Sequence, residues 1–240
     1  MAIYDINNIN NYGYAASVQQ NTHLAVLKNV YLWMTLALGV SGLTSILVAN
    51  SPQLLELFYT NSLALLFVAF AQIGLVWFIS ARISSISMRT ATLLFISYSI
   101  LTGVTLASIF LVFTQESIAS VFFMTAGTFG AVSLYGYTTK KDLSTWRSYL
   151  LMGLIGLIIA SVVNWFLHSE LLYWIVSYVG VIIFVGLTAY DTQKIKQMAC
   201  TYGGHEGETP QKLALIGALT LYLDFINLFL YLLRIFGKRK

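Results

Sequence analysis

The sequence is poor in charge, in proline and in cysteine. Charged residues make up 9% of its 240 residues, and it contains two prolines and one cysteine. A soluble domain carries about 25% charged residues, so a soluble globular enzyme and a disordered chain are both excluded. A single cysteine excludes a disulfide scaffold and a cysteine-based zinc site. The net charge of +4 is scattered along the chain, which argues against a nucleic-acid interface.

Apolar residues are abundant instead, at 58% of the chain with a mean hydropathy of +0.77. They form seven stretches that carry no charge, apart from Asp224 in the last of them: 29–55, 57–81, 90–115, 117–139, 148–169, 171–190 and 213–233. Each stretch reaches the ~20 residues that a helix needs to cross a ~30 Å hydrocarbon core. The sequence therefore predicts an all-α polytopic membrane protein with seven transmembrane helices.

Composition divides the chain into three parts. Residues 1–27 are rich in asparagine and lack the apolar run and cleavage site of a signal peptide, which predicts a flexible cytoplasmic arm. Residues 28–237 form the seven-helix membrane domain, and residues 238–240 form a basic carboxyl-terminal tail.

The distribution of basic residues predicts the orientation of these helices. The loops at 50–60, 114–117 and 168–170 contain no lysine or arginine. The alternate loops contain eight: Arg82, Arg89, Lys140, Lys141, Arg147, Lys194, Lys196 and Lys212. By the positive-inside rule, the amino terminus and the basic loops face the cytoplasm. Seven spans then place the carboxyl terminus outside, although 234–240 contains four basic residues, so a re-entrant or half-spanning last helix stays open.

One acid lies deep in an apolar stretch. Asp224 stands in LTLYLDFINLFLYLL, and Asn227, three residues on, shares its helix face. A carboxylate at that depth costs about 2.5–3.5 kcal/mol on insertion scales, so it must face the protein interior or water. Intramembrane acids commonly mark pathways, which favours an ion or proton site over a structural clamp between helices.

A second acid, Asp191, ends the apolar run of the sixth helix in GLTAYDTQKIK (186–196). It is either a functional residue or an interfacial residue beside a basic loop. The helix could also continue to Met198, which would place Asp191 about two turns inside it. If Lys196 and Lys212 mark the membrane boundary, Asp191 and Asp224 differ in depth by about 10 Å. The spacing therefore permits a carboxylate pair without showing one.

Two polar residues of the second helix complete the set of candidates. Arg82 ends this helix, and the residues alone favour an ordinary cytoplasmic anchor. Gln72 lies ten residues earlier and is expected to find a polar partner on a neighbouring helix.

Two strings containing these acids resemble a known family. GLTAYDTQKIK (186–196) and ALTLYLDFINLFLYLLRIFG (218–237) are similar to the carboxyl-terminal signature of the Bax inhibitor-1 family, the transmembrane Bax inhibitor motif proteins. RISSISMRTATLLFISYSILTGVTLASIF (82–110) and GYTTKKDLS (136–144) resemble its bacterial branch. The likeness covers roughly residues 24–237, and LYLDFINLFLYLLR is its most specific string.

The resemblance implies six helices around a central seventh and a pH-sensitive calcium leak, here in a bacterial inner membrane. The family's paired carboxylates match Asp191 and Asp224, which become the expected pH sensor, ion gate and candidate calcium ligands. An arginine that bonds the pair in some members matches Arg82. Gln72 stands where many members have a glutamate, which removes one acidic cation ligand. The expected partners are the lipid bilayer, calcium, protons and a further membrane protein, with no cofactor.

Two carboxylates in a poorly solvated site cannot both ionise easily, so the pair is expected to titrate as a unit. Loss of its proton would change its attraction to Arg82 and could bias two packings of helix seven. Calcium, which takes oxygen ligands, would compete with the protons.

Two other functions stay open. A non-transporting scaffold that binds another membrane protein is the main alternative. An intramembrane aspartyl protease also uses two aspartates on neighbouring helices, and Tyr190-Asp191 fits half of that pattern. The other half needs Gly-x-Gly-Asp, where this chain has Tyr222-Leu223-Asp224, so the protease is disfavoured and no enzymatic activity is expected.

The charge pattern makes a prediction about topology. Cysteines placed in the loop 50–60 should react with an impermeant thiol reagent from outside the cell, and those placed at 140–147 should not, because lysine and arginine hold the second loop inside. The opposite labelling pattern would contradict the predicted orientation.

Overall fold

Seven long helices form the part of the protein that the structure describes. The computed structural model describes residues 3–60, 62–203 and 207–240. The helices are α1 (Ile3–Ala49), α2 (Ser62–Arg82), α3 (Met88–Val112), α4 (Gln115–Thr138), α5 (Arg147–Leu167), α6 (Glu170–Tyr202) and α7 (Thr209–Phe236). A short helix (Pro52–Leu55) and a π-helical turn (Glu56–Thr60) link α1 to α2, and a 3₁₀ turn (Ser144–Trp146) precedes α5.

All seven helices contain a segment long and apolar enough to cross a membrane, which confirms the predicted all-α polytopic fold for the described chain. The last helix is continuous over 28 residues, a length of about 42 Å, which is enough to span the hydrocarbon core. The polypeptide after α7 bonds to the α3–α4 connection, since the Thr114 N–H donates to the Lys238 carbonyl at 3.0 Å. We call this side, with the loops 113–114 and 168–169 and the residues 237–240, the tail face. The side with the loops 83–87 and 139–143 is the basic face.

The amino-terminal segment differs from the sequence expectation. The sequence predicts a flexible arm over 1–27, whereas the backbone is helical from Ile3 and runs without a break into the span Leu24–Ala49. No proline precedes Pro52, so nothing in the segment forces the helix to end. The membrane domain therefore has no helix boundary at residue 28.

The central position in the bundle belongs to α7. It packs against α1, α3, α4 and α6, while α2 packs chiefly on α3 and α5 chiefly on α6. Fourteen residues of α7 are buried, whereas the buried residue of α5 is Leu157. Of the six surrounding helices, four thus form the main contacts of α7 and two flank them.

A buried tyrosine joins α7 to α1 and α3. The Tyr222 side chain is fully buried, and its hydroxyl shares a hydrogen bond of 2.6 Å with Ser41 Oγ. Ser41 Oγ also lies 2.8 Å from the Ser99 carbonyl oxygen, to which it can donate. The rings of Phe95 and Tyr98 meet the Tyr222 ring edge-on, at centroid distances of 6.2 and 6.0 Å. Edge-to-face pairs of this kind add stability beyond the apolar area that they bury.

A glycine lets α4 approach the backbone of α6 two residues before Asp191. A Cβ built on Gly136 would overlap the carbonyl oxygen of Ala189. Small residues at helix contacts allow this kind of close approach in membranes, where van der Waals packing drives helix association.

This contact generates a prediction with a matched control on the same helix. Gly136→Ala should destabilise the protein by about 1–3 kcal/mol, because the added methyl group must push α4 and α6 apart. Gly127→Ala should leave stability unchanged or raise it, since a Cβ there meets nothing within 4 Å. Thermal unfolding of both variants in detergent measures the difference. Equal stability of the two variants would show that α4 and α6 are not in close contact.

Candidate functional site

Asp191 of α6 and Asp224 of α7 lie together. Their side chains are within hydrogen-bonding range of each other beside the central helix. The depth difference of about 10 Å that the sequence suggested is too large, because the α6–α7 connection is shorter than the basic residues implied. α6 continues for eleven residues past Asp191 to Tyr202, and α7 begins at Thr209, fifteen residues before Asp224. The remaining depth difference between the two aspartates is four residues, or about 6 Å. Helix tilt and side-chain length can bridge this distance.

The pair is almost completely removed from solvent. Asp224 is 5% exposed and Asp191 is 9% exposed. Asp224 Oδ2 is buried and receives no hydrogen bond from any described donor. An ionised carboxylate can only accept, so two carboxyl groups bond each other only when one of them carries a proton. The geometry therefore calls for a proton, or another cation, at the pair.

A cavity of about 550 Å³ between α5, α6 and α7 adjoins the pair. Its walls are mostly apolar, and Thr220 and Asn227 of α7 add polar groups beside the two aspartates. The Asn227 amide nitrogen donates to the Leu223 carbonyl at 2.8 Å, within its own helix. Asn227 therefore shares the cavity with the pair, as its spacing from Asp224 suggested.

The cations near the pair are not the one that the sequence suggested. Lys194 on α6 and Arg147 at the start of α5 act electrostatically on Asp191. Arg82 is exposed at the end of α2, and its guanidinium forms no ion pair or hydrogen bond with the described residues. The reason is the position of α2, which packs chiefly on α3 rather than on α6 or α7. The expected bond from Arg82 to the pair is therefore absent from this structure.

Gln72 belongs to a different polar cluster. Its amide nitrogen donates to Thr102 Oγ1 at 3.1 Å, and its amide oxygen accepts from Thr105 Oγ1 at 3.3 Å. These groups line a second cavity, of about 400 Å³, between α2, α3 and α7. Asn227 lines this cavity too, so it lies between the Gln72 cluster and the aspartates.

The pair does not make a complete site for a resident metal ion. No group of three or more His, Cys, Asp or Glu side chains gathers anywhere in the described ranges. Calcium takes six to eight oxygen ligands. Two carboxyl groups with one amide and one hydroxyl would leave the ion mostly hydrated, which suits brief occupancy better than tight binding.

Comparison with known proteins identifies the family of the chain. The family described as "Inhibitor of apoptosis-promoting Bax1" matches residues 23–240, which include all seven spans. The chain belongs to the Bax inhibitor-1 family. Among its relatives is the inner membrane protein YbhL of Escherichia coli K12, which is 53% identical over 214 residues that cover 89% of this chain and 92% of YbhL. A Borreliella burgdorferi protein is 46% identical, with 89% of this chain and 92% of that protein covered. A Streptococcus pyogenes membrane protein is 33% identical, with 87% and 90% covered.

In this Bax inhibitor-1 family member, the end of α6 clamps the α4–α5 connection, a contact that sequence reasoning missed. The segment after Asp191 carries basic residues but stays helical, beyond the extension to Met198 that the sequence allowed. The buried Gln193 side chain accepts from the Leu143 N–H and donates to the Lys141 carbonyl, both at 2.8 Å. Lys196 donates to the Tyr137 carbonyl at 2.7 Å. The helical spacing of Gln193 and Lys196 was the available signal, and these bonds fix the part of α6 that presents Asp191.

The shared bond predicts how stability depends on pH. If the folded pair shares a proton at neutral pH, where solvated, unfolded carboxylates are ionised, stability should fall as the pH rises. Asp224→Asn can donate to Asp191 without titrating, so its melting temperature in detergent should vary less between about pH 6 and 8 than that of the wild type.

Asp142→Asn is the control for this measurement. Asp142 is an exposed loop residue, and hydrogen bonds from the Ser144 N–H and hydroxyl hold the pKa of its carboxyl below its usual range. The contribution of Asp142 to stability is therefore complete at neutral pH and disappears only as the pH falls into the acid range. Asp142→Asn should thus keep the wild-type dependence of melting temperature on pH above about pH 6. A wild-type slope in Asp224→Asn would exclude a shared proton.

Proposed function

We propose that this protein is a pH-sensitive passive conductor of calcium ions, gated by the Asp191–Asp224 pair. The observation that carries the proposal is the buried contact between two carboxyl groups on neighbouring membrane helices, with one oxygen left without a donor. Carboxyl groups within a membrane are costly, and they usually mark ion or proton pathways.

The proton state of the pair supplies the gate. With a proton, the two groups bond and hold α6 to α7. Without the proton, two negative charges face each other in a site with little water. Their repulsion favours separation of the two carboxylates or a cation between them. A calcium ion passing through would be attracted by the same charge that repels the two helices. Protons and calcium therefore compete for one site.

The two cavities supply the path. One adjoins the pair, and the other reaches from Gln72 and Thr102 to Phe113 and Arg234 at the tail face. Asn227 lines both, so a small displacement of α7 at this residue would join them. The Arg234 guanidinium at the tail-face end repels cations, so the proposed conduction is a slow leak rather than a fast current.

The proposed flow is passive, and its setting is a bacterial inner membrane. The sequence contains no Gly-x₄-Gly-Lys-Ser/Thr loop that would bind a nucleotide to drive uphill transport. We propose an inner-membrane location because the Escherichia coli relative YbhL is an inner membrane protein. In this proposal the basic loops and the amino terminus face the cytoplasm, as the positive-inside rule predicts, and the aspartates have no catalytic role.

Calcium flux through purified protein in liposomes tests the proposal. The wild type should pass calcium slowly at a rate that varies with pH, and Asp191→Asn and Asp224→Asn should each flatten that variation because asparagine cannot ionise. The double variant should add little to either single change, since the pair titrates as a unit. If both single variants keep the wild-type dependence of calcium flux on pH, the pair is not the gate and Asp224 only joins helices. Absence of any flux between about pH 5 and 8 would favour a non-transporting scaffold that binds another membrane protein.

The positions of the cations generate a further prediction. Removing a cation near Asp191 makes ionisation of the pair harder, so Lys194→Gln should shift the midpoint of the pH profile of flux to higher pH. Arg82→Gln is the matched control, because it removes one exposed positive charge away from the pair and should leave the midpoint unchanged. A shift with Arg82→Gln alone would restore the role that the family resemblance gave to this arginine.

A further inference from the structure

A cavity of about 760 Å³ opens at the tail face and shares one lining residue, Ser161, with the cavity at the aspartate pair. It lies between the end of α5, the start of α6 and the end of α7. Its polar wall includes Asn164, Glu170, Tyr173, Arg234 and Arg239. Arg234 stands at the tail-face end of the proposed calcium path and also lines this cavity.

Two arginines without carboxylate partners line the cavity. The Arg234 guanidinium lies 5.1 Å from the centre of the Tyr231 ring and 6.0 Å from that of Tyr173. The Arg239 guanidinium lies 6.0 Å from the same Tyr173 ring and donates to its hydroxyl at 3.4 Å. Neither arginine has an ion pair within the described part of the chain. The aromatic rings therefore orient two guanidinium groups toward one space while leaving their charge unneutralised.

One acid, Glu170, also lines the cavity and does not cancel this charge. It is exposed in the first turn of α6, where the positive end of the helix stabilises a carboxylate. With two arginines against one glutamate, the cavity keeps a net positive charge, which favours an anion.

The cavity lies at the level of lipid headgroups. The Trp165 and Trp174 side chains line it and are 72% and 36% exposed. Tryptophan collects at the membrane–water interface, where its ring is half in lipid and half in water. Below these rings, toward the membrane interior, α6 exposes Ile175 and Tyr178, against which an acyl chain can lie.

The positive charge is fixed to this face by the backbone. The Lys238 N–H donates to Ser117 Oγ at 2.8 Å, and the Lys240 N–H donates to the Val112 carbonyl at 3.0 Å. The basic residues after α7 therefore lie opposite the eight basic residues of the other loops, which the positive-inside rule does not explain. An anionic lipid on this face would offset that charge.

We propose that this cavity binds the phosphate group of an anionic lipid headgroup, held by Arg234 and Arg239. Guanidinium groups match phosphate oxygens with paired hydrogen bonds, and the tryptophans position the glycerol and the acyl chains. The lipid would tie α5, α6 and α7 together at the tail face, whether or not the protein conducts ions.

Thermal unfolding in nanodiscs tests this proposal on the full chain. Wild-type protein should melt a few degrees higher in discs of phosphatidylcholine with phosphatidylglycerol than in phosphatidylcholine alone. The double variant Arg234→Gln/Arg239→Gln should lose this difference. Because each variant is compared with itself in two lipids, a general loss of stability does not imitate a loss of binding. If the double variant shows no cooperative unfolding, Arg239→Gln alone, outside the helices, should lose at least half of the difference.

The matched control is Lys238→Gln/Lys240→Gln, which removes two charges from the same face but from residues that do not line the cavity. It should keep most of the wild-type difference. An equal loss in this control would show attraction of anionic lipid to the whole face and would overturn the assignment to the cavity. If inorganic phosphate raises the melting temperature in phosphatidylcholine discs by the same amount, the ligand is a free anion and the assignment to a lipid is wrong. Equal melting of the wild type in both lipids would overturn the proposal altogether.

Discussion

A hydrogen bond between two carboxyl groups exists only while one of them holds a proton. Asp191 and Asp224 are within bonding range in the interior of the bundle, with little water to solvate a second negative charge. The bond between the two carboxyl groups thus depends on a single titratable proton. The apolar packing of α6 on α7, such as the stacked rings of Phe184 and Tyr231, does not depend on it.

The remaining packing determines what the loss of that proton can do. Tyr222 anchors α7 to α1 and α3, close in sequence to Asp224. The clamp from Gln193 to the α4–α5 connection holds the part of α6 that carries Asp191. Repulsion within the pair therefore acts between two anchored segments. In the proposed mechanism, the response is a limited displacement of α7 near Asn227, where the two cavities approach each other.

The sequence was sufficient for the fold class and for singling out Asp224, because both depend on simple physical costs, whereas Asp191 was left between a functional and an interfacial residue. An uncharged stretch of helical length and a carboxylate deep within it are visible without a structure. The length of α6 was left open, since the helix could continue past Asp191 while the lysines at 194 and 196 marked a basic loop. Its contacts with the α4–α5 connection were not visible in the sequence, because they depend on how α4 and α6 pack. The shorter connection in turn reduced the depth difference between the aspartates from about 10 Å to about 6 Å. The position of Arg82 depends on which helix α2 contacts, and charge patterns along one chain do not contain that information. The two cavities that share Asn227 also depend on which helices pack together, so the sequence did not show them.

Infrared spectroscopy of the carboxyl groups tests the shared proton most directly. Purified protein in lipid at neutral pH should show the C=O stretch of a protonated carboxyl group. This band should disappear in Asp224→Asn, because the asparagine amide then donates to an ionised Asp191, and likewise in Asp191→Asn. A wild-type spectrum without a protonated carboxyl band at neutral pH, or a band that survives both substitutions, would contradict a proton shared between α6 and α7.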